Sequence, residues 1–222
     1  EPDLIAAFEA SWSNEGFVSR EHEAARLEAG RAALRQFRAA QLQPGTIVPS
    51  WVEREFAFAL GGDRIRGRFD RVDIVPVATA SAKVTGELAN ATKVPAVLRA
   101  DVVEPMLELL GPEEVTITDY KSSDVRDVAK ARQRARDSLQ LQIYAMGYEA
   151  TTGRLPDFVQ LQFLESGVIG RVAVEPKRLA KARAKIRRAA EGIRAGDFRA
   201  TPDTLACTYC PYRDICPSSL AR

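Results

Sequence analysis

The sequence predicts a mixed α/β fold, a central sheet flanked by helices, on three observations. Stretches with apolar residues at helical spacing alternate with short β-branched or aromatic runs of period two. Two of those runs, residues 49–60 and 64–75, are separated only by Gly61-Gly62-Asp63 and read as an antiparallel hairpin. Two others, 114–120 and 157–165, flank a long helical stretch, as the strands of a parallel crossover do.

The elements follow in order. Residues 3–12 and about 20–40 read as helices; in the second, Leu27, Ala33, Leu34 and Phe37 lie at helical spacing in an Ala-rich context. Gln43-Pro44-Gly45 breaks the pattern. The first strand alternates through Val52, Arg54, Phe56, Phe58 and Leu60, and the second runs from Arg64 to Val75. Residues 76–111 read as an insertion, polar over 79–92 and with a short helix over 96–110. The third strand covers 114–120. One long helix or two consecutive ones fill 125–151, closed by Gly153 and Pro156. Strands over 157–165 and 169–174 are joined by Glu165-Ser166-Gly167, and a helix over 177–195 ends at Gly196. By this reading residues 1–48 are N-terminal helices, 49–200 the core, and 201–222 a cysteine-rich tail.

A chain of 222 residues can bury one substantial core. No run approaches the roughly 20 apolar residues of a membrane span, and no signal peptide is visible. The chain opens on Glu1-Pro2-Asp3 rather than Met, so it is expected to be a piece of something longer. All three cysteines fall in the last sixteen residues, which suits a ligand cluster in a reducing, cytoplasmic compartment better than a disulfide framework. A net charge of +2 does not announce a nucleic-acid binder, but the charge is unevenly spread. Residues 126–136 and 177–188 are basic runs that can contact phosphates. A solvated helix face is the competing reading of each.

Three constellations carry chemistry. The first is Thr116-Ile117-Thr118-Asp119-Tyr120-Lys121. Side chains alternate along a strand, so Asp119 and Lys121 share a face and Tyr120 points away. A carboxylate able to hold a divalent cation then sits beside an ammonium able to orient a nucleophilic water. Asp70, in Gly67-Arg68-Phe69-Asp70, is the candidate second carboxylate; Asp73 falls on the opposite face by alternation. Oxygen ligands in an open site point to Mg²⁺ or Mn²⁺. The competing reading of Asp119 and Lys121 is a surface ion pair at a strand end.

In the second, Gln140 and Tyr144 lie one turn apart on a helix, with Tyr148 extending the stripe. They suit a DNA phosphate or a brace for the lysine; core aromatics with wet tips are the plainer reading. The third is Cys207-x2-Cys210 followed by Cys216, whose spacing suits zinc or an iron–sulfur cluster but supplies only three ligands. The lone histidine, His22, is flanked by acids and reads as solvated.

In this order, Gly67-Arg68-Phe69-Asp70, Asp119-Tyr120-Lys121-Ser122, Gln140-x3-Tyr144 and the cysteine triplet resemble the RecB-like branch of the PD-(D/E)XK nucleases. That branch includes nuclease domains of bacterial RecB, AddAB and AdnAB helicase–nucleases. The resemblance implies a restriction-endonuclease-like core with a cysteine-bearing tail. It implies that Asp70, Asp119 and the Tyr120 carbonyl bind Mg²⁺ or Mn²⁺, and that Lys121 positions the water. Gln140 and Tyr144 would support the site, and Cys207, Cys210 and Cys216 would ligate a [4Fe–4S] cluster whose fourth ligand is not in this chain. Single-stranded or unwound DNA and a helicase domain or subunit are the implied partners, and DNA repair and recombination the context. Family members also carry a glycine-led histidine and an upstream cysteine; His22 lacks that context, and no cysteine precedes Cys207. Two further readings stand beside this one: a nuclease-fold DNA-binding or scaffolding module without turnover, and a zinc-ribbon protein whose acids are incidental.

Overall fold

The computed structural model describes residues 2–17, 19–77 and 112–221. The chain divides into two compact units, Glu1–Leu179 and Ala180–Arg222. Among the described residues, helices α1 (Pro2–Ala10) and α2 (Arg20–Gln41) precede the hairpin β1 (Trp51–Leu60) and β2 (Asp63–Pro76). Then come β3 (Glu113–Lys121), α3 (Val128–Asp137), α4 (Leu139–Thr152), β4 (Phe158–Phe163), β5 (Ile169–Ala173), α5 (Pro176–Arg194) and α6 (Thr204–Thr208). The five strands form one sheet in chain order, antiparallel except for the parallel pair β3–β4. This is the mixed sheet between helices that the pattern predicts. The expected helix over 96–110 and nearly all of the expected insertion lie outside the described residues.

Local chemistry sets the element ends. Ser19 caps α2, its hydroxyl accepting from His22 N at 3.2 Å. The hairpin turns on Gly61-Gly62, with Leu60 and Asp63 already paired; only Gly61 takes a positive φ (66°), which a type II′ turn requires of its first central residue. The helical stretch after β3 is two helices. Asp127 caps α3 at Lys130 N, and Ser138, in extended backbone, closes α3 and caps α4 at Leu141 N. Gly153, at φ 81°, ends α4.

One face of the sheet packs on α4. Phe56 drives this contact: a Cβ on Gly147 or on Gly67 would come within 2.4 Å of its ring, so both glycines are there to let the ring in. The ring also stacks 4.5 Å from Phe69 and meets Tyr144 edge-on. The other face meets α2, where Phe37 packs edge-on against Tyr120. Strict alternation fails at one place. Phe69 packs on Phe56, Trp51 and Tyr144, and its neighbour Asp70 also reaches Tyr144. Across from Asp70, Glu53 takes a left-handed φ of 51°. For a residue with a Cβ that costs about 1–2 kcal/mol. The bend also brings Arg54 over the ring of Trp51, three residues earlier.

In the second unit, Asp203 caps α6 at Ala206 N, and Gly196 takes a positive φ of 65°. Phe198, Leu205, Tyr209, Tyr212 and Ile215 are exposed there.

Candidate active site

The site is built where β2 and β3 run side by side. Their register ends at Arg71 with Thr118, and just beyond it Asp70 meets β3, accepting from the backbone N–H next to Asp119. Asp119 sits on the α4 face with Ile117, and its residue is only 1% exposed, which removes the reading of a surface ion pair. Lys121 shares that face and reaches back to it, Nζ lying 2.7 Å from Asp119 Oδ2. At that distance the ammonium is the partner of the buried Oδ2, and no other donor reaches that oxygen among the described residues.

From Lys121 a directed chain of hydrogen bonds returns to Asp70. Lys121 Nζ donates to Gln140 Oε1 at 2.9 Å, and Gln140 Nε2 donates to the Tyr144 hydroxyl at 2.9 Å. Tyr144 in turn donates to Asp70 Oδ1 at 3.1 Å. The other Asp70 oxygen, Oδ2, accepts from the backbone N–H of Tyr120, also at 3.1 Å. Thus Asp70, Asp119, Lys121, Gln140 and Tyr144 come together from three elements, and the helical spacing of Gln140 and Tyr144 serves as a brace for the lysine. Tyr148 does not join them; it packs against Trp51. His22 lies exposed beside Phe17.

The electrostatics match this chain. Burial raises the Tyr144 phenol to about 12, with the Asp70 charge adding to the rise, so it stays a donor at any working pH. Burial also raises the Asp119 carboxyl. Lys121 pulls it back in part, and the nearby charge of Asp70 pushes it further up. Two carboxylates beside a single ammonium, the charge of Asp70 pushing the buried Asp119 carboxyl up, are a donor set short of positive charge. Hard oxygen donors of this kind fit Mg²⁺ or Mn²⁺. Among the described residues no third His, Cys, Asp or Glu joins them.

The opposite face of the sheet holds a cavity of about 450 Å³ under α2, lined in part by Gln41, Arg71, Asp73, Thr118 and Gln160. Its polar walls are turned on one another. Arg71 donates to both oxygens of Asp73 (2.8 and 2.9 Å), to Gln41 Oε1 and to Ile47 O, while Gln160 donates to Thr118. Asp73 is therefore turned away from Asp70, as alternation predicts, and Arg71 is a fastener that the sequence pattern does not single out. The only clue in the sequence is an arginine two residues from an acid on one strand face.

The cysteines stand differently. Cys207, Cys210 and Cys216 are half-buried and form no disulfide. Among the described residues they do not gather as a group able to hold an ion, and three thiolates are one short of a [4Fe–4S] set. As placed, they do not fit the cluster.

The family model of the PD-(D/E)XK nuclease superfamily matches residues 99–217, more than half of the chain. The chain belongs to the PD-(D/E)XK nuclease superfamily. The mixed five-stranded sheet flanked by helices is the restriction-endonuclease-like fold, and nucleases of this superfamily commonly use Mg²⁺ or Mn²⁺. The match includes Asp119, Lys121, Gln140, Tyr144 and all three cysteines; Asp70 lies before it. Among curated proteins none matches. Among solved structures, the crystal structure of SSO0001 aligns over 99% of this chain and 78% of its own, at 14% identity and a TM-score of 0.44. Among the described residues no helix is long and apolar enough to cross a membrane.

Proposed function

We propose that this chain is a Mg²⁺- or Mn²⁺-dependent deoxyribonuclease domain that cuts single-stranded or unwound DNA. Asp70 and Asp119, with the Tyr120 carbonyl as a further ligand, would hold the cation. When bound, a divalent ion polarises the scissile phosphate and offsets its developing charge. Lys121 orients the attacking water. Its ammonium is tethered at one end by Gln140 and at the other by Asp119, which leaves a donor free to turn outward through a side chain 35% exposed. Gln140 and Tyr144 fix the lysine and Asp70 relative to each other. The observation that carries this reading is the continuous chain from Asp119 through Lys121, Gln140 and Tyr144 to Asp70.

The order of Gly67–Asp70, Asp119–Ser122, Gln140/Tyr144 and the cysteines supports placement in a RecB-like helicase–nuclease of DNA repair and recombination, with the helicase supplying unwound DNA. An iron–sulfur cluster belongs to this reading only if a fourth ligand comes from beyond the chain and the tail closes around it. Iron and sulfide after anaerobic purification would support it, and zinc would oppose it.

The test compares cleavage of single-stranded DNA by the wild type, Asp119→Ala and Lys121→Ala over a range of Mg²⁺ and Mn²⁺ concentrations. Metal-dependent cleavage lost in both folded variants is the expected result. Cleavage retained by either, in a clean preparation, sinks the assignment. Tight DNA binding by the wild type with no cleavage at any metal concentration favours a binding module.

A further inference from the structure

The basic run after β3 contains one side chain that two contacts place beside the end of β3. Lys121 pairs with Phe163 in the parallel β3–β4 ladder, so the two side chains share the α4 face of the sheet. The guanidinium of Arg134 lies 5.9 Å from the centre of the Phe163 ring. Its Nη1 is 3.5 Å from Ser123 Oγ, two residues beyond Lys121. Two independent contacts therefore place Arg134 on α3 beside the strand end that carries the lysine. It is exposed, and among the described residues no carboxylate pairs with it.

The acids around it are already engaged. Arg126 donates to both oxygens of Asp124. Asp127 is spent on the N-cap of α3. Asp137 accepts from Gln133 and pairs with Arg178. A guanidinium has five donors in a planar fork, and here only one long contact to a hydroxyl uses any of them. That is an uncommitted anion grip, with Ser123 as a neighbouring neutral donor.

We propose that Arg134 grips a backbone phosphate of the DNA strand next to the scissile bond and so holds that strand against the Asp70–Asp119–Lys121 centre. This rests on the nuclease reading above and assigns it a substrate-binding residue. Lys130, one turn earlier on the same flank of α3, extends the grip to a weaker second contact. Arg132 lies on the other flank, on the far side of the buried Ala131 and Ala135, and takes no part.

The test measures anisotropy of a labelled single-stranded oligodeoxynucleotide with the full chain in Ca²⁺, together with steady-state cleavage in Mg²⁺. Arg134→Ala should weaken binding about tenfold and lower the slope of log affinity against log salt by about one phosphate. KM should rise by a similar factor with kcat within about twofold, because the grip acts on ground state and transition state alike. Arg134→Lys should recover part of the affinity, and Arg132→Ala should leave affinity and slope unchanged. Unchanged affinity and salt slope in Arg134→Ala overturn the proposal, as does an equal loss in Arg132→Ala, which would reveal only bulk charge. A wild type that binds but never cuts sinks the nuclease reading, while the binding arm still decides Arg134. A wild type that cuts, with Arg134→Ala indistinguishable from it, sinks the phosphate grip alone.

Discussion

Asp73 and Asp119 are both buried aspartates on adjacent strands of one sheet, and they have opposite fates. Asp73, on the α2 face, takes the Arg71 Nε–H on both its oxygens, while Nη1 and Nη2 donate to Gln41 and Ile47. Every charge there is answered within the protein. Asp119, on the α4 face, has only the half-exposed Lys121 ammonium at its buried Oδ2, and it shares its surroundings with a second carboxylate. The first arrangement ties the segment after α2 to the sheet. The second sets two carboxylates beside one ammonium, a donor set that suits a divalent cation. Burial of a carboxylate thus says little by itself; what distinguishes a fastener from a reactive centre is whether its hydrogen bonds close.

The sharpest way to test this contrast is to remove each acid's function. Asp119→Ala should lower Mg²⁺-dependent cleavage on the order of 10⁴-fold, about 5 kcal/mol of transition-state stabilisation, without loss of fold. Single-turnover rates and thermal melting together check it. Arg71→Met should act the other way. It leaves Asp73 buried and unpaired and should destabilise the protein by roughly 3–5 kcal/mol in a denaturant titration. If instead Arg71→Met costs no stability, the α2-face pair is not a fastener and the comparison collapses.

Smaller effects sharpen it. Tyr144→Phe removes the donor to Asp70 Oδ1 and keeps the ring between Phe56 and Phe69. The Mg²⁺ concentration for half-maximal cleavage should rise about tenfold or somewhat more, as expected when a ligand loses the partner that orients it. The smallest effect concerns pH. The folded protein holds the Asp119 proton more tightly than the unfolded chain does, because its carboxyl is raised above the ordinary 3.8. Stability from this group is therefore full below pH 3.8 and is lost as pH rises through the raised value. In EDTA, Asp119→Asn should be more stable than the wild type at neutral pH, with the gain vanishing as pH falls below that window. A gain that is the same at every pH would show that Asp119 carries no such penalty.

Much of the fold was legible because its signals are local. Gly153 marks a helix end in the sequence and does so in the structure. The two glycines of the hairpin mark the antiparallel pair found, and the long helical stretch is compatible with the parallel crossover found. Other features had no local signal. Nothing in the pattern marks the left-handed Glu53 or the turn of the strand at Phe69 and Asp70, and the pattern leaves open the one long helix or two that Ser138 divides. Nor does the spacing of three cysteines fix whether they gather, because that depends on how the tail closes.

For the site, the sequence by itself put Asp119 and Lys121 on one face and Gln140 and Tyr144 on one helical stripe. Those relations follow from the repeat of a strand or a helix, which a few neighbouring residues determine. Only the tertiary structure decided that the stripe meets the face, that Asp70 arrives from fifty residues away, and that Arg71 closes on Asp73 while Asp119 stays open. Such meetings depend on strand register and on the fit of Phe56 against Gly147, and both are settled by packing between segments far apart in the chain.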